Sequence, residues 1–253
     1  MADQAEAWSR AAHSYEADFI DPHRPDVKSP LPRVLRRLAD RERRDVADLG
    51  CGTGPLLPFL AGLFHQVHAV DFAPAMLERA RQRCRDLPNI VFHEKPLTDL
   101  STLAGQVDVA VAVNSLVMPR ITDIEASLSQ IAAVLRPGGT FVGIVPAMDS
   151  VHYLTMLLLD RALAAGKPLE AARKSAAHFN EHACYDFAFG QYHAQGLEQH
   201  FWQPFEVRYR LERAGFRQVR LGRVHLAWEQ FACAPDMTQH LPPWDWFFRA
   251  KLP

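Results

Sequence analysis

The 253 residues, 48% of them apolar, suffice for one sizeable core with decorations. The 28 basic and 29 acidic residues nearly cancel, leaving a formal charge of -1, so no overall field draws in nucleic acid or an anionic membrane. No apolar run approaches the roughly 20 residues needed to span a bilayer, and the polar, mixed-charge N-terminus lacks the apolar stretch of a secretory signal.

Basic clusters at 33–44 and 79–85 follow helical spacing, and acids interrupt the first, so both read as solvated helix faces. Cys51, Cys84, Cys184 and Cys233 lie far apart without a C-x-x-C pair. That spacing argues against a zinc ribbon or a disulfide framework and predicts a reducing, cytoplasmic setting.

In chain order, residues 1–40 read as a helical arm interrupted by the proline-rich "DPHRPDVKSPLP". From 41 to 146, β-branched runs alternate with helical patterns, the signature of an α/β domain with a parallel sheet wound by helices. Strands are predicted at 46–49, 67–72, 90–94, 107–113 and 140–145, with helices at 55–64, 74–86 and 124–135. Pro55 and Pro74 suit first helical turns, "TDIE" (122–125) reads as a capping box, and "RPGG" (136–139) stops a helix.

Residues 147–204 read as an inserted helical lid, with a helix at 151–165 followed by "HFNEHACYDFAFGQYHAQGLEQHFW". Residues 205–253 supply a helix ending at Gly215, a strand at 218–226 and a closing strand in "WDWFFRAKL". There Trp244, Trp246, Phe248 and Ala250 alternate onto one face.

The stretch "VADLGCGTG" places Gly50, Gly52 and Gly54 between a strand and a helix, where a turn presents bare backbone N–H groups to a ligand. The G-x-G-x-G spacing is one residue shorter than that of dinucleotide sites. Asp48, just before the turn, repels a phosphate and welcomes a cation. Asp71 ends the second strand, where a carboxylate can grip both hydroxyls of a ribose.

Taken in order and spacing, "VADLGCGTG", "VHAVDFAPAMLERAR", "DVAVAVNSLV" and "LRPGGTFV" resemble the successive motifs of class I S-adenosylmethionine-dependent methyltransferases. The resemblance covers 45–146 and, more loosely, the terminal "LERAGF" and "WFFRAKL". It implies a doubly wound, Rossmann-like sheet of seven strands, mostly parallel with an antiparallel last strand. It also places the methionine part of the cofactor over Gly50, Cys51 and Gly52, with Asp48 near its amino group and Asp71 on the ribose. Phe72 and Met76 would flank the adenine, the backbone at Leu97 or a shifted Asp99 would recognise its edge, and Asn114 would lie beside the sulfonium. Tyr15 and Trp8 of the arm are candidates to close over the site.

Two positions depart from the family pattern. Lys95 and Pro96 stand where an acid often contacts the adenine amino group, and Ala73 replaces a helix-capping serine. Simpler roles compete elsewhere: Gly54 suits close strand–helix packing, and Cys51 is better read as a small turn residue than as a nucleophile.

Methyl transfer from a sulfonium needs alignment and exclusion of water more than a base. If the acceptor must lose a proton, His152, His182 and Tyr192 are the leading candidates, with Tyr153, His178 and His193 behind them. "HFNEH" (178–182) matches a zinc-peptidase pattern, but this scaffold differs from such enzymes and no metal is expected. The aromatic residues of 179–202 suit an aromatic or lipophilic acceptor and can steady a cation.

The sequence thus predicts an S-adenosylmethionine-dependent enzyme acting on a small molecule, as a monomer or homodimer. Its rivals are a relative that uses the sulfonium for cyclisation, rearrangement or decarboxylation, a non-catalytic binding module, and a nicotinamide dehydrogenase. The turn spacing and Asp48 disfavour the last.

Overall fold

The computed structural model describes residues 8–9, 26–177, 183–194, 197–231 and 237–253. Seven strands form the main sheet: β1 (Asp40–Leu49), β2 (Phe64–Asp71), β3 (Ile90–Glu94), β4 (Val107–Val113), β5 (Leu135–Pro146), β9 (Arg217–His225) and β10 (Trp244–Lys251). Their order is β3-β2-β1-β4-β5-β10-β9. Only β10 runs antiparallel to its neighbours, β5 and β9. The expected seven-stranded sheet with an antiparallel last strand is present.

Both faces of the sheet are covered, so its central strands are continuous apolar runs without polar alternation. Helices α1 (Leu31–Leu38), α2 (Leu57–Leu63) and α3 (Pro74–Arg83) bury Leu35, Leu57, Leu60 and Leu77 against one face. Helices α4 (Ile121–Val134) and α7 (Pro204–Arg213) bury Ile124, Leu128, Ile131 and Leu211 against the other. The predicted alternation in β10 holds: Trp244, Trp246, Phe248 and Ala250 join the second layer while Phe247 joins the first. Gly143 on β5 makes room for this packing, because a Cβ there would lie 2.4 Å from the Phe248 ring.

Local chemistry departs from expectation at two helix starts. Helix α2 begins at Leu57, so its first-turn proline is Pro58 rather than Pro55. The predicted capping box does not form. Arg120 occupies the N-cap position of α4 without a side-chain cap, which puts Thr122 inside the helix. Glu125 is turned outward, accepting from Arg210 at 3.1 Å and pairing with Arg213 at 3.4 Å on α7.

The inserted segment is helical only in its first half, α5 (Met148–Ala164) and α6 (Leu169–Ala177). Its second half is a three-stranded antiparallel sheet of β6 (Ala183–Asp186), β7 (Gln191–Ala194) and β8 (Leu197–His200). Tyr185 and Tyr192 are cross-strand partners with ring centroids 5.0 Å apart, a pairing that favours a sheet over a helix. The hairpin between β6 and β7 is set by Asp186 Oδ1, which accepts from the N–H groups of Ala188 and Phe189, and by Gly190 at φ 68°.

The zinc-like "HFNEH" stretch and Tyr15 lie outside the described residues. Among the described residues no helix is long and apolar enough to cross a membrane.

Candidate functional site

The glycine turn follows β1 and is pinned to β2, because the N–H groups of Gly50 and Cys51 both donate to the carbonyl of Val70, at 2.7 and 2.9 Å. Gly50 has φ 75°, and a Cβ there would meet the Ser115 Cβ at 2.3 Å, so this position demands glycine twice over. Gly52 has φ 53° with nothing within 4 Å of its Cβ position, so open space lies over its Cα, but the turn does not present the bare N–H groups expected: those of Gly50 and Cys51 go to Val70 and that of Gly52 to Asp71. Gly54 instead packs close to Leu57 and Ala80, the simple strand–helix role. Ser115 Oγ donates to the carbonyl of Leu49 at 2.6 Å and locks the turn to the end of β4.

A cleft with about 840 Å³ of empty space, part of it open to solvent, lies along the C-terminal ends of β1 to β4. Its walls follow the strand order. Past β3 and β2 they are Phe72, Met76, Lys95, Pro96, Leu97 and Thr98, with Trp8 packed against Ala73 and Met76. At the centre are Asp71, Gly50 and Gly52. Past β4 come Val113, Asn114, Ser115, Val117, Met118 and Asp123.

Asp71 Oδ2 accepts from the Gly52 N–H and Oδ1 from the Ala73 N–H, both at 2.9 Å. Burial raises its pKa, against the pull of backbone hydrogen bonds from Ala73, Gly52 and Phe72. Three backbone donors leave one of the four lone-pair positions of the carboxylate for a further donor. The bond to Ala73 also serves the start of α3, where no side-chain cap is present.

Behind the turn, Asp48 is 3% exposed and its Oδ2 has no hydrogen-bond partner among the described residues. Burial, and then the charge of Asp71, push its pKa up to about 7. Cys51 is buried too. Burial first, then Asp48 and Asp71, push its thiol well up, the opposite of what a nucleophile needs.

Asn114 closes β4 with φ 50°, a conformation uncommon outside glycine, held by its N–H donating to the carbonyl of Ile144 at 2.8 Å. Its Nδ2 donates to Asp245 Oδ2 at 3.4 Å, while its buried Oδ1 has no partner among the described residues. Asp245 stands at the start of β10. Burial lifts its pKa to about 7 despite hydrogen bonds from Asn114 and the Ala147 N–H.

The far wall of the cleft is tied to the insertion. Trp202 Nε1 donates to the carbonyl of Leu116 at 2.8 Å and the His200 N–H donates to that of Val117 at 2.9 Å. His200 is 2% exposed, and its Nε2 lies 3.0 Å from Glu206 Oε2. Burial raises the Glu206 pKa, but His200 and Arg210 outweigh it and hold the carboxyl below its usual range.

Of the sequence candidates, Gly50, Gly52, Asp71, Phe72, Met76, Leu97, Asn114 and Trp8 line the cleft. Asp48, Cys51 and Gly54 stand behind its wall. Leu97 is on the wall, whereas Asp99 pairs with Lys95 and Ser101 away from it. His182 lies outside the described residues.

His152 stacks on Phe187 at 5.2 Å, and Tyr192 sits between Tyr185 and Phe201 with its pKa raised by burial. Neither lines the cleft, so neither is placed as a base. Tyr153 gives its hydroxyl to the carbonyl of Leu241, and His193 faces Glu198 at 3.3 Å. Sequence reasoning missed Ser115, Val117, Met118 and Asp245. Only Asp245 left a signal, as an acid among the four aromatic residues that open its strand, Trp244, Trp246, Phe247 and Phe248.

Residues 46–139 match the family model described as a methyltransferase domain. An uncharacterised methyltransferase, YodH, of Bacillus subtilis is 31% identical over 116 residues, 46% of this chain and 48% of that protein. The malonyl-(acyl-carrier protein) O-methyltransferase of Serratia marcescens is 31% identical over 152 residues, 59% of this chain and 55% of its own. The chain therefore spans about half the length of the curated relatives it matches.

Among solved structures, the N-methyltransferase NodS of Bradyrhizobium japonicum, in complex with S-adenosyl-L-homocysteine, superposes with a TM-score of 0.61 at 14% identity, covering 98% of both chains. The 1,6-didemethyltoxoflavin-N1-methyltransferase of Burkholderia thailandensis gives 0.62 at 16% identity, covering 99% of this chain and 88% of that one. At these identities the likeness concerns the fold alone. Residues 46–139 thus match a methyltransferase domain, and the seven-stranded order around them is that of a Rossmann-like methyltransferase fold.

Proposed function

We propose that the protein binds S-adenosylmethionine along this cleft and transfers its methyl group to a small aromatic or lipophilic acceptor. The observation that carries the reading is the open space over Gly52, between the carboxylate of Asp71 and the amide oxygen of Asn114, which has no partner among the described residues.

The residues present fit such a cofactor. Apolar Phe72, Met76 and Leu97 suit an adenine, and the position left open on the Asp71 carboxylate suits a ribose hydroxyl. The buried carboxylates of Asp48 and Asp245 have no ion pair among the described residues, which suits a ligand that brings positive charge to the β1 and β4 end. Bound there, S-adenosylmethionine supplies an electrophilic methyl group on a sulfonium that leaves readily.

The chain's own part is to hold and to exclude. Asp71 fixes the ribose, the Gly50–Gly52 backbone and Asp48 hold the amino-acid end, and Trp8 covers the adenine side. Val117 and Met118 offer the acceptor an apolar wall, which keeps water from the reacting centre. The names of relatives and structural neighbours favour methylation over a non-methylating use of the same cofactor.

Calorimetry with S-adenosylmethionine, followed by incubation of methyl-labelled cofactor with phenols, amines and lipophilic alcohols, tests the reading. Heat of binding and labelled product with released S-adenosylhomocysteine are expected. Absence of any binding would falsify it, and turnover without released S-adenosylhomocysteine would replace methylation by cyclisation or rearrangement.

A further inference from the structure

The strand order arranges the cleft as a line: Leu97 after β3, Asp71 at β2, Gly50 and Gly52 after β1, Asn114 after β4, and Asp245 one strand further, across the end of β5. A nucleoside conjugate whose ribose sits at Asp71 and whose base lies among Phe72, Met76 and Leu97 must place its other end toward Asn114. This orientation rests on the proposed function above.

Three observations single out that end. Asn114 is held in the left-handed region at φ 50°, a conformation few side chains other than asparagine adopt. Its Nδ2 is turned to Asp245, which leaves Oδ1 buried at the cleft without a donor. An amide whose nitrogen faces a carboxylate cannot flip without setting two acceptors against each other, so Asp245 decides which atom the cleft receives.

Asp245 is itself a buried carboxylate without an ion pair among the described residues. The nearest guanidinium on β9, that of Arg223, stacks over Trp244 at 4.1 Å and Trp246 at 5.6 Å. Those two side chains point to the opposite face of β10 from Asp245, so Arg223 stands on the wrong side to neutralise it.

We propose that Asn114 and Asp245 form one unit that recognises the positive charge of the sulfonium, Asn114 offering its amide oxygen and Asp245 acting as the positioning residue that holds the amide and, once ionised, supplies the compensating charge. S-adenosylmethionine and S-adenosylhomocysteine differ by one methyl group and that charge, so their affinities measure the unit directly.

The test is calorimetric titration of the full chain and of Asp245→Asn with each compound at pH 8, above the point where Asp245 gives up its proton. In the variant the affinity for S-adenosylmethionine falls about tenfold while that for S-adenosylhomocysteine stays within about twofold, since both keep the amino-acid charges and only the first carries the sulfonium. Equal losses for both compounds, or an unchanged ratio, overturn the proposal. If Asp245→Asn does not fold, Asn114→Ala reads the same ratio and is judged by the same two outcomes. Failure of the unaltered protein to bind either compound strikes the proposed function itself, whereas normal binding of both with a fixed ratio strikes this inference alone.

Discussion

Asp45 and Asp48 lie on one strand, three residues apart, at opposite edges of the same sheet, and their surroundings could hardly differ more. Asp45 sits with Asp108 around the guanidinium of Arg136, and His65 Nδ1 lies 2.9 Å from its Oδ1. Burial pushes its pKa up, but the bonds and charges of His65 and Arg136 outweigh that and hold the carboxyl below its ordinary range. Among the described residues Asp48 has no cation and its Oδ2 no partner, and its pKa is pushed to about 7. One edge is electrostatically finished. The other is left incomplete in a way a cationic ligand can complete, and this contrast between scaffold and site rests on which partners are present, since both edges are rich in acids.

The largest effect expected from this contrast is on stability against pH. Asp48 and Asp245 hold a proton in the folded chain up to about pH 7, while unfolded they release it near 3.8. Between those values the folded state binds more protons, so its stability is greatest below about pH 4 and falls as pH rises through the window. The loss is on the order of several kcal/mol for the pair. Asp45 works in the opposite sense, contributing above the unfolded value and losing its contribution as pH falls through its lowered folded one. Denaturant unfolding at pH 5 and pH 8 should show the ligand-free protein weaker at pH 8, and Asp48→Asn should flatten that slope. A steeper slope in the variant would break the comparison.

Next in size, Gly50→Ala forces a side chain into φ 75° and onto Ser115, and should cost about 2–4 kcal/mol of stability together with cofactor binding. Thermal melts with and without S-adenosylmethionine would show both losses, and a wild-type melt would mean the turn is more plastic than its contacts suggest. Asp71→Ala removes the central carboxylate and should weaken S-adenosylmethionine binding by about 1–3 kcal/mol, read by calorimetry. Smallest of all, Arg136→Ala at the finished edge should lower stability by about 1 kcal/mol and leave cofactor affinity unchanged. A marked loss of affinity there would show that the two edges are coupled.

How far these features could be read before folding depends on distance along the chain. The glycine turn, Asp71, Phe72 and Met76 belong to a strand–turn–helix sequence and to the strand that follows, so local spacing alone places them on one edge. Asn114 was equally accessible as the polar end of an apolar strand. Asp245 is 131 residues from it and meets it only because β10 enters the sheet beside β5, which no local pattern reveals. The capping box failed for a related reason: Glu125 has a local partner in the sequence but better-placed cations on α7 in the fold. In the insertion, short strands built on tyrosine pairs were hidden behind the helical pattern that precedes them.

The insertion reaches the cleft through two main-chain carbonyls, those of Leu116 and Val117, taken up by Trp202 and His200. Because these acceptors are peptide groups, replacing the side chain of Val117 or Met118 removes neither, whereas Leu116 is fixed by its burial in the core. The loop can therefore change its lining from bulky to small, or from greasy to hydrophilic, while its attachment stays put and the nucleoside half of the groove is undisturbed. Selectivity toward new acceptors can drift by single replacements on one bank without re-engineering the other.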